Sequence, residues 1–273
     1  MTTGQEDGTV LAAEAGREAW PAPAPGAAPL RRMVGAQAAL ELKTLARNGE
    51  QLVLTVIIPV LLLIAFGHEA LVSVGTGPRI DFVVPGILAL AVMSTAFTSL
   101  AIGTGFERRY GVLKRLGASP LSRRGLIGAK TLTVLTVEVA QFVLVLAVGA
   151  LLGWSPQAAA GAVIWVPLLL IAGTAAFSGL AMLLAGTLRA EATLAAANLL
   201  YLVMLGIGGV LFPLSKFPAA AQPVLKLLPA GALSQGLRSV LAHSGGIPVM
   251  NLAVLCAWAA ATIALAARTF RWE

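Results

Sequence analysis

The chain has 273 residues, of which 58% are hydrophobic and only 11% are charged, and its mean hydropathy is +0.88. Soluble domains carry about 25% charged residues, so this composition excludes a soluble protein and requires the bilayer as part of the solvent. The formal net charge of +7 does not indicate nucleic-acid binding, because Lys and Arg concentrate in the cytoplasmic loops of membrane proteins.

The N-terminal region divides into a tail and an amphipathic segment. Residues 1–29 mix charged side chains with an Ala/Pro stretch and cannot bury a core, so we expect a disordered cytoplasmic tail there and a membrane domain over residues 30–273. Within residues 30–48, one helical stripe carries Val34, Ala38, Leu42 and Leu45. This pattern predicts a helix lying in the cytoplasmic interface, and the alternative is a straight extension of the first span.

Six segments are apolar and close to the length of about 20 residues that a membrane span needs. They are residues 52–67, 82–103, 132–152, 163–188, 194–212 and 249–267. With the N-terminus inside, fifteen of the 19 Lys and Arg residues fall on the cytoplasmic side. This asymmetry predicts an all-α integral membrane fold with six spans and both termini in the cytoplasm.

Residues 106–130, which we call the basic loop, combine charge with an amphipathic order. Residues 107–116 predict a short helix that is interrupted at Gly117, and Ser119-Pro120 predicts a helix restart that runs into the third span. A helix of this kind can insert apolar side chains into a partner's groove while its charges dock around the rim. Its apolar members are Val112, Leu113 and Leu116, and its charged members are Glu107, Arg108, Arg109, Lys114 and Arg115.

Polar side chains inside the predicted spans are costly there and often functional. Glu138, Gln141 and Asn198 are therefore candidates for a substrate pathway. The alternative for Glu138 is a position near the cytoplasmic end with a loop Arg or water as partner. Gln141 and Asn198 have the alternative of a hydrogen bond between helices.

The predicted outer segment, residues 213–248, is too long for a plain turn and is rich in proline. Within it, residues 230–243 form a helical pattern that is too short to cross the membrane. This helix either enters the membrane as a re-entrant helix or lies at the outer surface.

The sequence carries no motif that indicates chemistry on this chain. His68-Glu69 lacks the second histidine of the zinc-protease motif, and no phosphate-binding P-loop or nucleophile elbow occurs. A single cysteine and the absence of a Cys/His cluster indicate neither a disulfide nor a metal site. We therefore expect no catalytic residue, metal or cofactor on this chain.

The basic loop resembles the coupling segment of ABC-2 type transporter permeases, in which Glu-Arg-x-x-Gly-x-Leu-(Lys/Arg)-x-Leu precedes (Ser/Thr)-Pro-Leu. The matching run, residues 106–124, is FERRYGVLKRLGASPLSRR. Residues 30–48 resemble the connecting helix of the family. The segment that carries Pro213, Pro218, Pro229 and Arg238 resembles the family's outer segment and is a candidate outer gate.

This resemblance implies one half of an exporter. Two six-span chains, identical or different, would form the pathway in the cell membrane. Two separate ATPase subunits would bind ATP and Mg²⁺, and the basic-loop helix would dock in a groove of the ATPase.

The resemblance is greatest to drug- or antibiotic-resistance permeases, including those of the daunorubicin and multidrug type, and implies a hydrophobic or amphipathic substrate such as a drug, an antibiotic or a lipid-like molecule. The alternative is an exporter of a glycan or glycolipid, which the aromatic content of 6% does little to support. A secondary transporter would carry paired buried carboxylates or repeated broken helices, and the sequence shows neither.

Overall fold

The computed structural model describes residues 26, 28–49, 53–68, 79–117, 119–121, 123–156, 161–241 and 246–269. These residues form helices joined by turns, with no β-strand among them, and the predicted all-α membrane fold is confirmed. Most of the predicted tail, residues 1–29, lies outside the described residues. In chain order the helices are α1 (Leu30–Arg47), α2 (Ile58–His68), α3 (Arg79–Arg109), α4 (Val112–Gly117), α5 (Arg123–Leu151), α6 (Ala162–Thr187), α7 (Ala190–Ile207), α8 (Gln222–Leu227), α9 (Pro229–Leu241) and α10 (Val249–Thr269).

Five of the described helices, α3, α5, α6, α7 and α10, are long and apolar enough to cross a membrane. Helix α2 is apolar but has only 11 residues, and a π-helical turn, Val53–Ile57, precedes it. Residues 50–52 and 69–78 on either side lie outside the described part of the chain, so the sixth span stays a prediction.

The helix boundaries differ from the predicted span boundaries at several points. Helix α3 continues to Arg109, beyond the predicted end at Gly103, and α7 begins at Ala190 and ends at Ile207. The predicted fifth span, residues 194–212, begins four residues after the helix does and ends five residues beyond it, because hydropathy alone excludes the charged first turn. The first turn of α7 includes Glu191, where a carboxylate interacts favourably with the positive end of the helix dipole.

Helix α3 lies at the centre of the bundle. Every residue from 83 to 93 is buried, which suits a helix that is apolar on all sides. It packs against α2, α5, α6, α7 and α9. A π-helical segment, Met93–Ser99, interrupts its α-helical hydrogen bonding in the middle, and such segments are rare and occur often at functional sites.

Helices α7 and α10 lie at the periphery, and few of their residues are fully buried. Helix α10 packs closely along α6, whereas α7 presents a broad apolar face to its surroundings. An exposed apolar surface of this extent requires lipid or another protein as cover.

Helices α8 and α9 lie in the chain between α7 and α10, and both contact the bundle. Trp258, nine residues after Val249, donates its indole N–H to the Leu227 carbonyl oxygen at the end of α8 at 2.8 Å. At 1.5 Å per residue, this contact lies about 14 Å along α10 from its first residue. Helix α9 buries nearly all of its residues, so it enters the bundle and does not lie flat on its surface.

Helix α1 crosses the first turns of α5. A Cβ atom built on Gly128 would lie 3.9 Å from Val34 Cγ1, and Glu41 Oε1 lies 3.6 Å from Lys130 Nζ. Helix α1 thus packs against the first turns of α5, which favours a position at the end of the bundle over a straight extension of the first span.

Candidate functional site

The end of the bundle that holds the basic loop, which we call the basic end, is shaped by a turn at Tyr110-Gly111. Helix α3 includes Glu107, Arg108 and Arg109, and α4 begins only at Val112. Gly111 has φ +69°, a left-handed conformation that glycine adopts without steric cost. The prediction of a single helix over residues 107–116 is therefore wrong. The end of α3 and most of α4 cover these residues, and the turn at Tyr110-Gly111 separates the two helices.

Helix α4 and the turn before it present a mixed surface. Tyr110 is 65% exposed and Val112 is 37% exposed, and Lys114 and Arg115 are exposed beside them. Leu116 is half-buried. Leu113 is 1% exposed, so it packs inside this chain, and its predicted insertion into a partner would require it to leave this packing. Tyr110, which the sequence did not single out, takes its place on the surface.

The segment after α4 does not restart a helix at Ser119. The Ser119 hydroxyl donates to the Leu116 carbonyl oxygen at 2.6 Å and accepts from the Leu121 amide at 3.3 Å. A serine that bonds in this way forms a local turn. The next helix begins at Arg123, and it runs without interruption into the third span, as predicted.

A buried ion cluster joins three helices at the basic end. The Lys130 ammonium lies 2.7 Å from Glu107 Oε2 and 3.6 Å from Glu41 Oε1, and it donates to Glu107 Oε1 at 2.9 Å. The Lys130 side chain is only 9% exposed, so its charge requires these carboxylates as partners. The cluster ties α1 and α5 to the last turn of α3, which leads directly into α4.

Two arginines connect the same turn of α3 to the other side of the bundle. Arg108 donates to the Leu188 carbonyl oxygen, and Arg109 pairs with Glu191. Arg109 also lies over the Tyr110 ring, 5.8 Å from its centroid. The turn at Gly111 is thus attached to α1 and α5 through Glu107 and to the α6–α7 connection through Arg108 and Arg109.

The three predicted pathway residues do not meet. Glu138 is 1% exposed and accepts a hydrogen bond at Oε2 from the Thr174 hydroxyl at 2.6 Å. Its Oε1 has no hydrogen-bond partner among the described residues. Gln141 is also buried, and its Oε1 accepts from the Thr95 hydroxyl at 3.0 Å. These two residues join α3, α5 and α6 inside the bundle.

Asn198 lies on the exposed face of α7, away from this buried pair. Four large apolar side chains share that exposed face of the helix. An asparagine surrounded by apolar side chains on a lipid-length helix is unfavourable in contact with lipid tails, and it is a good partner for a hydrogen bond between helices. The four apolar residues are Leu194, Leu199, Leu202 and Val203.

At the opposite end, which we call the far end, Arg238 of α9 occupies a cage of carbonyl oxygens. It donates to Phe82 O at 3.2 Å, to Val210 O at 2.8 Å and to Gly209 O. Its guanidinium carbon lies 3.6 Å from the Phe82 ring centroid. The Arg238 side chain is buried, so these carbonyl oxygens replace the water that its charge loses.

The predicted outer-gate prolines separate into different environments. Pro229 is buried and occupies the first position of α9. Proline is favoured at this position because the N–H that it lacks would have no partner within the helix. Pro213 is half-buried before the short turn Leu214–Lys216, and Pro218 is exposed. The structure therefore places Pro229 and Arg238 on one packed helix and does not bring Pro218 to it.

Glu41, Lys130 and Phe82 were missed as candidates. Lys130 offered a signal, because it is the last cation of the basic loop and the apolar sequence of the third span follows it. A charge at that boundary requires a carboxylate nearby. The described residues contain no group of three metal-ligand side chains.

Comparison with models of protein families matches residues 35–242 to the ABC-2 type transporter family. The match covers well over half of the chain and includes the ion cluster, the buried polar residues and Arg238. Comparison with curated proteins finds no significant match.

Proposed function

Because the chain belongs to the ABC-2 type transporter family and is thus the membrane subunit of an ABC transporter, we propose that it exports a hydrophobic or amphipathic molecule with energy from a separate ATPase subunit. The observation that carries the proposal is the surface of α4 and its attachment. Tyr110 and Val112 are exposed between cations, and the Lys130 cluster fixes the adjacent turn of α3 to the bundle. A force applied at this surface acts on α1, α3 and α5 together.

The proposed arrangement follows from the family and from the different residues at the basic end and the far end of the bundle. The basic end faces the cytoplasm, with both termini on that side of the cell membrane, because cations concentrate there. Two ATPase subunits, which hold ATP and Mg²⁺, dock on the two α4 surfaces of a permease pair. The far end, with Pro229 and Arg238 on the re-entrant helix α9, forms the outer gate.

The ATPase contact is tested with variants of the exposed surface. Tagged protein is purified from native membranes in mild detergent, and co-purified ATPase is quantified by mass spectrometry. We expect Tyr110→Asp and Val112→Asp to reduce ATPase recovery at least tenfold, since each places a carboxylate in an apolar contact. Ile247→Asp is the matched control, because Ile247 is 69% exposed but lies at the far end. Equal ATPase recovery in all three variants would refute the proposed docking surface.

The Lys130 cluster gives a separate test of energy coupling. Glu107→Gln removes the charge that holds Lys130 but leaves the α4 surface unchanged. We expect the ATPase to remain bound while ATP-driven transport into inverted vesicles falls relative to ATP hydrolysis. Unchanged transport per ATP hydrolysed would contradict a role of the cluster in coupling.

The permease pair is proposed to form through the exposed face of α7. The part of this face around Asn198 and Leu202 is uncovered within one chain, and two such surfaces would cover each other and pair the asparagines, while the first turn of the helix stays accessible. In a Cys256→Ser background, which removes the only cysteine, Asn198→Cys should cross-link to a second permease. Val143→Cys, which is 64% exposed on α5, should not. The mass of the product distinguishes a homodimer from a heterodimer, and cross-linking of both variants alike would refute this interface.

The substrate class is tested by ATPase stimulation of the reconstituted complex. Amphipathic drugs, antibiotics and lipids are expected to stimulate ATP hydrolysis, whereas glycans and glycolipids are the competing class. Stimulation by glycolipids alone would replace the proposed substrate with that class.

A further inference from the structure

A cleft of about 360 Å³ opens beside the α3–α4 turn at the basic end. This volume lies within the range of small-ligand sites, about 300–1,000 Å³. The cleft is formed where α3 ends and α7 begins, two places far apart in the chain. The charged side chains that line it are Arg108, Arg109, Lys114, Arg189 and Glu191, and Gly105 forms part of its wall.

The charge of the cleft is strongly unbalanced. Four cationic side chains line it against one carboxylate, so its formal net charge is +3. Glu191 is already engaged by Arg109. Lys114 and Arg189 form no ion pair with any residue that the structure describes. A cleft with uncompensated cations is suited to an anion with several acceptor oxygens, which guanidinium and ammonium groups bind through charge-assisted hydrogen bonds.

The position of the cleft selects the kind of anion. Glu191 lies in the first turn of α7, and the exposed apolar face of this helix begins at Leu194, which is 40% exposed. The cations therefore lie next to the apolar surface of α7, where we expect the head groups of a bilayer to meet its acyl chains. Basic pockets between transmembrane helices on the cytoplasmic side are suited to anionic lipid head groups.

We propose that this cleft binds the phosphate head group of an anionic phospholipid of the inner leaflet, with Arg108, Lys114 and Arg189 as the principal contacts. The first acyl carbons lie against Leu194 at the rim. The bound lipid bridges the end of α3 and the start of α7, and it thereby reinforces the connection that Arg108 makes to the Leu188 carbonyl oxygen. The proposal takes the cytoplasmic orientation of the basic end from the proposed function, and it does not depend on transport or on its direction.

The test measures lipid affinity of the full-length protein, purified with the subunits that it retains and placed in nanodiscs of phosphatidylcholine. Phosphatidylglycerol is titrated in, and binding is followed by the shift in the unfolding temperature, with added phosphatidylcholine as the reference. The cleft variant is Lys114→Gln with Arg189→Gln. The control variant is Lys43→Gln with Arg47→Gln, which removes the same charge from exposed residues of α1 outside the cleft and outside the α4 surface.

We expect the apparent dissociation constant for phosphatidylglycerol to rise about fivefold per cation removed from the cleft, or about 25-fold for the double variant, since each basic residue near the surface contributes about 1 kcal/mol. The control should change it less than about threefold. Equal weakening by both double variants would overturn the proposal, because it would show a general attraction of the basic end.

Two further arms identify the occupant. Inorganic phosphate and glycerol phosphate are added in solution, and a soluble anion that competes fully with the lipid at millimolar concentration would overturn the assignment to a phospholipid. The co-purified ATPase subunit is also quantified for each variant. Loss of the ATPase from the cleft variant with unchanged lipid affinity would assign the cleft to an acidic side chain of the partner and refute lipid binding.

Discussion

The buried Arg238 offers the sharpest test of how the far end is held together. Its guanidinium donates to carbonyl oxygens of Phe82, Gly209 and Val210, which belong to α3 and to the chain immediately after α7. Carbonyls beyond the end of a helix have no partner within that helix. Arg238 supplies that partner and fixes α9 against both helices. We predict that Arg238→Met weakens the attachment of α9 to α3 and to the chain after α7, although methionine fills a similar space.

The magnitude follows from the groups that lose their partner. Gly209 O and Val210 O lie outside helices, and each buried carbonyl left unpaired costs about 1–3 kcal/mol. Phe82 O lies in α3 and loses less. Removing a buried charge recovers part of this cost, because the desolvation of the guanidinium is also removed. The net destabilisation is expected at about 3 kcal/mol, and Arg238→Lys should fall between methionine and the natural residue because an ammonium lacks the planar fork.

The assay is unfolding in mixed micelles of mild detergent and sodium dodecyl sulfate, followed by tryptophan fluorescence. Lys226→Met is the control, since Lys226 is an exposed cation of the same outer segment and should change stability by no more than about 0.5 kcal/mol. If Arg238→Met unfolds at the same detergent fraction as Lys226→Met, the carbonyl cage does not stabilise the far end and the reasoning is refuted.

Three further predictions concern packing, the buried carboxyl and the surface pair. Gly86→Ala should destabilise the protein by about 1–3 kcal/mol in the same unfolding assay. The added Cβ would lie too close to Val210 O and only 2.8 Å from Arg238 Nη2. Gly35→Ala is the control, because the space around Gly35 is open. Glu138→Gln should keep ATP-driven transport within about twofold, since the amide oxygen still accepts from Thr174, and a loss beyond tenfold would show that transport needs the ionisable carboxyl. Arg109→Gln and Glu191→Gln should each change the free energy of unfolding by less than about 1 kcal/mol, because both side chains are about half exposed; a larger loss would mean that the pair is structural.

The membrane fold could be predicted from the sequence because lipid imposes a simple rule on composition. Only helices satisfy every backbone polar group within one segment in hydrocarbon, so apolar runs of sufficient length define the architecture. Boundaries are weaker, since charged residues extend helices beyond the apolar run. Helix α7 starts at Ala190 with Glu191 in its first turn, and α3 continues through Glu107 to Arg109, where hydropathy alone indicates loop.

The candidate site could be predicted only as far as local pattern extends. The position and charge of α4 follow from the sequence, but the burial of Leu113 does not, because the turn at Gly111 rotates α4 relative to α3. Pairing between distant residues is not encoded in local spacing either. Thr174 hydrogen-bonds Glu138 across 36 positions, and Arg238 reaches Phe82 across 156. Each partner is chosen by helix packing, which no single segment specifies.

Helix α3 connects the two ends that these contacts hold. Glu107 and Phe82 lie 25 residues apart on it, which corresponds to about 38 Å along the axis. The Lys130 cluster fixes one end and Arg238 fixes the other. Between them lies the π-helical segment Met93–Ser99, whose Thr95 hydroxyl bonds Gln141 of α5. A displacement of α4 therefore has two possible effects on α3. It either moves α3 as a rigid body and strains the hydrogen bonds of Arg238, or it changes the conformation only where the π-helical segment meets α5.

The first case links energy coupling to the stability of the far end, so Arg238→Met and Glu107→Gln would then change transport non-additively. The second keeps the two ends independent.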